Sequence, residues 1–143
     1  MRALLFVSTI LLSLNGFACG FCVEDKMAVV YDHATVSGAI ARNHHVAFFH
    51  IDGKLAPGPG TKRALEELAN ASTGVDRGSA RASPESAVLS VAFDPQRMPV
   101  AALQAALERK LAARRNTLML LQVMDQPADF SPSVARALRA RPH

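Results

Sequence analysis

Seven consecutive residues, His45-Val46-Ala47-Phe48-Phe49-His50-Ile51, constrain the fold more than any other stretch of this chain. The run has the length of a strand, and both of its faces are apolar. Val46 and Phe48 fall on one face, and Ala47, Phe49 and Ile51 on the other. Such a strand must be covered from both sides, so it belongs in the middle of a sheet. Ala87 to Phe93 is a second strand. It alternates Ala87, Leu89, Val91 and Phe93 against Val88, Ser90 and Ala92.

The rest of the chain is read around these two strands. Asp52 to Gly60 is a Pro- and Gly-rich loop. Thr61 caps a predicted helix that runs to about Ala71 and buries Leu65, Leu68 and Ala69. Residues 74–82 are too polar for a central strand and are predicted as an edge strand. Met98 to about Arg115 is a predicted helix with Leu103, Ala106, Leu107 and Leu111 at helical spacing. Thr117 to Met124 is the last strand, with Met119 and Met124 assigned to the core. Val23 to about Arg42 is predicted as one extra helix ahead of the first strand. The resulting fold class is α+β: a ferredoxin-like β-α-β-β-α-β sandwich preceded by an extra N-terminal helix.

Composition narrows the possible tasks. The chain has 143 residues, 50% of them hydrophobic and 20% charged, which excludes wholesale disorder. Its two cysteines cannot build a disulfide-rich scaffold or a four-cysteine zinc site. A net charge of +4 is too mild for a nucleic-acid binder, so nucleic acid is not an expected partner.

Met1-Arg2, an apolar run from Ala3 to Leu14, and Gly16 and Ala18 before Cys19 follow the plan of a secretory signal peptide. Residues 1–18 are therefore expected to be an export signal, and the compartment a bacterial periplasm. The alternative is a lipoprotein acylated at Cys19, although Gly16 stands where a lipobox usually carries Leu. The expected organisation continues with a Cys-x-x-Cys segment and helix over 19–43, the ferredoxin-like domain over 44–124 and a basic tail over 125–143.

Gly74-Val75-Asp76, the turn after it, the strand Ala87 to Phe93 ending Phe93-Asp94-Pro95, and the helix Val100 to Glu108 resemble the second half of heavy-metal-associated domains. These are the small copper- and mercury-carrying modules of metallochaperones and metal-pumping ATPases. The resemblance spans residues 45–124. It implies a ferredoxin-like fold and soft-metal handling, with a periplasmic metal-handling or membrane protein as partner. The departure is large. That family carries its Met-x-Cys-x-x-Cys loop after the first strand, where this chain has Ile51 to Gly60 with no Cys, Met or His. No metal residue of the family carries over.

The one Cys-x-x-Cys is Cys19-Gly20-Phe21-Cys22, a full helix earlier. Its spacing suits two thiolates on a soft ion such as Cu(I), and suits a disulfide equally well. Cys22 at a helix start would favour the thiolate. His44, His45 and His50 are candidate additional ligands. His44 and His50 share a strand face but lie about 20 Å apart, and His45 points the other way. His33, eleven residues past Cys22, is about 16 Å away along a helix. Three tasks fit these residues. The first is a small exported soft-metal-binding protein holding its ion at Cys19 and Cys22. The second is a non-catalytic interaction module, clasped by a Cys19–Cys22 disulfide, that binds a partner through an open sheet face or an edge strand. The third is a thiol-disulfide oxidoreductase. Glu66, Glu67 and Asp94 read as solvated carboxylates, and no catalytic set is legible.

Overall fold

The structure is a computed structural model. It describes the backbone of residues 18–127 and the side chains of residues 23–127. All but the last residue of the expected export signal, and residues 128–143 of the expected tail, lie outside the described residues. The run that opens the sequence argument forms β1 (His45–Asp52), and Val46 to Phe49 and Ile51 are all buried. The other strands are β2 (Arg81–Ser83), β3 (Val88–Phe93) and β4 (Thr117–Met124). Every residue of β3 is buried. The sheet order is β2-β3-β1-β4, with each adjacent pair antiparallel. This is the ferredoxin-like order: the two apolar strands are central and the other two are edges.

Helices α3 (Pro59–Asn70) and α4 (Val100–Leu111) cover one face of the sheet. Their Leu65, Ala69, Leu103, Leu107 and Leu111 pack with Ala47, Phe49, Ile51, Leu89, Val91 and Phe93. α3 starts two residues before the expected cap. Pro59 occupies the first turn, where its missing N–H costs nothing, so Thr61 lies inside the helix. α4 is shorter than expected because Ala112–Arg114 tighten into a 3₁₀ turn that ends at Arg115, in a left-handed conformation with φ 56°.

The expected edge strand over 74–82 shrinks to three residues. Gly74 and Gly78 take φ of 88° and 77°, which interrupts extended backbone. Ser79 compensates for part of the lost ladder. Its hydroxyl donates to the Asp76 carbonyl at 2.7 Å and accepts from the Ala92 amide at 3.0 Å. Only Val75 still bridges to Phe93.

The expected single N-terminal helix is two helices, α1 (Ala18–Val30) and α2 (His33–Ile40). Asp32 breaks them apart. It is extended, at φ −113° and ψ 107°, and its carboxylate accepts from the Thr35 amide at 3.1 Å, as a cap of α2. α1 and α2 lie on the second face of the sheet. Met27, Val30, Val36 and Ala39 pack there with Val46, Phe48, Val88, Ala92 and Met124. The sheet face that an interaction module would leave open is thus covered over β1 and β3.

Two polar ties fix this layer. The buried Ser90 hydroxyl donates to the Val30 carbonyl at the end of α1, at 3.1 Å. The Arg81 guanidinium bonds the Asp32 carboxylate, the Thr35 hydroxyl and the Gly78 and Ala80 carbonyls, all between 2.8 and 3.1 Å. The amide of Thr35, together with Arg81, holds the Asp32 carboxyl below its ordinary value. A carboxyl with a lowered folded pKa adds stability above its unfolded value near 3.8, and that stability is lost as pH falls through the folded value. Asp32→Ala is therefore expected to cost about 1–2 kcal/mol at pH 7, the scale of a lost helix cap. Asp32→Asn is expected to flatten the fall in stability below about pH 4. Urea unfolding across pH 2.5–7 measures both effects.

Candidate functional site

The direction of α1 sets where backbone positions 19 and 22 lie. Val30, its last residue, is tied to Ser90 in the middle of β3. Lys26, one turn earlier, reaches the end of β1, where its Nζ lies 3.1 Å from His50 Nδ1. The helix therefore runs backwards toward the end of the sheet at which β1 enters the loop after Asp52. Cys22 is four residues before Lys26, and Cys19 seven before it. Positions spaced by three and four share one side of a helix, so 19, 22 and 26 form a single stripe. Both cysteines belong to the backbone of α1.

The three candidate histidines separate. His50 is half-buried, and its Nδ1 lies 2.8 Å from the Ala87 carbonyl. His45 packs edge-on against the Phe93 ring, with centroids 6.0 Å apart and planes at 84°, which is a packing role. His44 lies just before β1, at the opposite end of that strand from His50. Among the described residues, no group of three or more His, Cys, Asp or Glu side chains could hold a metal ion.

His44 belongs to a polar cluster that the sequence does not reveal. Its Nδ1 is 2.7 Å from Asp76 Oδ2, and its Nε2 is 3.9 Å from Asp94 Oδ2. Arg42 pairs with Asp76 at 3.2 Å and Arg97 with Asp94 at 3.5 Å. The two carboxylates are matched by the two guanidiniums, so no surplus charge is left to attract an ion. A cavity of about 420 Å³ adjoins the cluster, lined by His44, Gly74, Asp76, Asp94, Arg97 and Met98. The cluster joins the corners before β1, before β2 and after β3, and it reads as a structural clasp. Asp76 lies 32 residues from His44, a distance no local pattern bridges. Asp94, expected to be solvated, is part of this clasp. Glu66 is likewise engaged, accepting from the Ala82 amide at 3.1 Å.

The Pro- and Gly-rich loop after β1 is tied down by a carboxylate. Glu85 accepts from the Gly58 amide at 2.9 Å. Its carboxyl is held below the ordinary value by its own backbone amide first and by the Gly58 amide next.

Met119, expected in the core, is instead 55% exposed on β4, and Leu120 beside it is 37% exposed. The α1–α2 layer covers Met124 at the far end of β4, and Met119 lies outside that cluster. It pairs directly with His50 across the β1–β4 ladder.

No protein-family model, curated protein or solved structure gives a match to this chain.

Proposed function

We propose that this chain is a small exported binding protein for a soft metal ion such as Cu(I), held by the Cys19–Cys22 pair. In this reading it is related in plan to heavy-metal-associated domains, and it hands its ion to a periplasmic metal-handling or membrane protein. One observation carries the proposal. Both cysteines belong to α1, a helix whose later residues are packed into the core of the domain, so the pair is attached to a rigid platform. Two thiolates one helical turn apart suit a soft cation.

The test is Cu(I) titration of the exported protein under reducing conditions against a chromophoric Cu(I) chelator. One equivalent is expected to be bound, and Cys19→Ser/Cys22→Ser is expected to abolish the binding. Equal binding by that variant would overturn the proposal.

One observation favours a second reading, the interaction module. β4 is an edge strand with no charged residue, and it exposes Met119 and Leu120. Neutral apolar edges invite strand addition, here by a second copy. Sedimentation should then show a dimer that Leu120→Lys dissociates. A monomer at all concentrations would remove this reading.

A further inference from the structure

The clasp around His44 leaves hydrogen-bonding groups unused beside its cavity of about 420 Å³, a volume in the range of small-ligand sites. Asp76 engages one side of the His44 ring. An ionised carboxylate can only accept, so the contact of 2.7 Å places a proton on Nδ1. In the neutral ring Nε2 then keeps its lone pair. Asp94 is anchored in a similar way. Its Oδ1 accepts from the Gln96 amide at 2.9 Å. Among the described residues, its Oδ2 meets Arg97 Nε at 3.5 Å and His44 Nε2 at 3.9 Å. Both contacts are longer than the roughly 2.7–2.9 Å of a charge-assisted hydrogen bond.

Two acceptors therefore stand 3.9 Å apart with no donor joining them. One ammonium nitrogen about 2.8 Å from each would span the gap and donate to both. A simple cation is disfavoured, because Arg42 and Arg97 already balance the two carboxylates. That balance suits a ligand whose own charges cancel. Arg97 supplies the group for the other charge. Its side chain is 88% exposed and meets Asp94 only through Nε, so its two terminal nitrogens remain for a carboxylate. Arg97 and Asp94 are themselves neighbours, so the ligand's two charges must also be adjacent, as in an α-amino acid. Met98 adds an apolar wall. It packs over Gly74, where even a methyl group would collide with the Met98 sulfur.

We propose that this cavity binds a small zwitterion of the α-amino-acid class. The ammonium lies between His44 Nε2 and Asp94 Oδ2, the carboxylate on the Arg97 guanidinium, and the side chain against Met98. The site lies at the opposite end of β1 from His50 and does not depend on the thiol-pair reading.

The test is titration of the full exported chain with L-valine, followed by ¹H–¹⁵N spectra. Saturable shifts centred on His44, Gly74, Asp94, Arg97 and Met98 are expected. 3-Methylbutanoate lacks the ammonium and 2-methylpropylamine lacks the carboxylate, and each should bind at least about tenfold more weakly. Arg97→Gln and Asp94→Asn should each weaken L-valine binding by at least about tenfold, the scale of a lost hydrogen bond to a charged group. Arg109→Gln, an exposed change on α4 outside this cavity, should leave binding unchanged. The exposure of Arg97 keeps the test valid if Asp94→Asn folds poorly. Absence of saturable shifts with L-valine, glycine and L-methionine would overturn the proposal. So would equal binding of either single-charge analogue, or wild-type affinity in Arg97→Gln. Cu(I) plays no part in this readout, so the zwitterion site and the thiol pair stand or fall separately.

Discussion

Phe48→Ala is expected to lower the unfolding free energy by about 3–5 kcal/mol, a large part of the roughly 5–15 kcal/mol of a typical domain. Phe48 is fully buried, and it is the largest side chain in the core between the sheet and the α1–α2 layer. Its removal leaves a cavity bordered by elements that contribute few other large side chains. Phe49, the next residue, faces the α3–α4 core and should cost a similar amount. The two variants should differ in where they loosen. Hydrogen exchange should show protection lost first across α1 and α2 in Phe48→Ala, and across α3 and α4 in Phe49→Ala. Phe48→Ala should also weaken the proposed Cu(I) binding, because it loosens the helix that carries Cys19 and Cys22. A loss below about 1 kcal/mol for Phe48→Ala in urea unfolding would mean that the N-terminal layer adds little to the fold.

The same pair of phenylalanines shows why so much of the fold was legible. A strand apolar at both parities requires two covering layers, and the sequence supplies three helical segments able to provide them. Strand order then follows from the polarity of the edges. What was not legible depended on single backbone conformations. Asp32 could equally have sat on the surface of one long helix, and its cap is visible only once Thr35 and Arg81 are in place. Gly74 and Gly78 read as weak strand residues, but their positive φ removes most of the edge strand. The site divides in the same way. The Cys19–Cys22 spacing is a local pattern and is legible as such. The contact between Lys26 and His50 joins residues 24 positions apart, which no local pattern carries. Met119 went to the core by default, because an edge left bare by its neighbours looks the same in sequence as a covered one.

Gly53→Ala is expected to cost about 2–5 kcal/mol, through two effects that add. Gly53 takes φ 120°, a backbone conformation almost closed to residues with a Cβ, and holding Ala there costs about 1–3 kcal/mol. The new methyl would also lie 2.4 Å from Asn116 Nδ2 and 3.1 Å from the Arg115 carbonyl, an overpacking that typically costs about 1–3 kcal/mol more. Asn116 cannot retreat easily. It is buried, and its Nδ2 donates to the Asp52 carbonyl at 3.3 Å, closing the end of the β1–β4 pair. The two effects can be separated by a double-mutant cycle in urea. Asn116→Ala removes the side-chain collision but not the backbone strain, so Gly53→Ala should cost less in that background, by roughly 1 kcal/mol or more. Equal cost in both backgrounds would show that the backbone conformation alone makes Gly53 necessary.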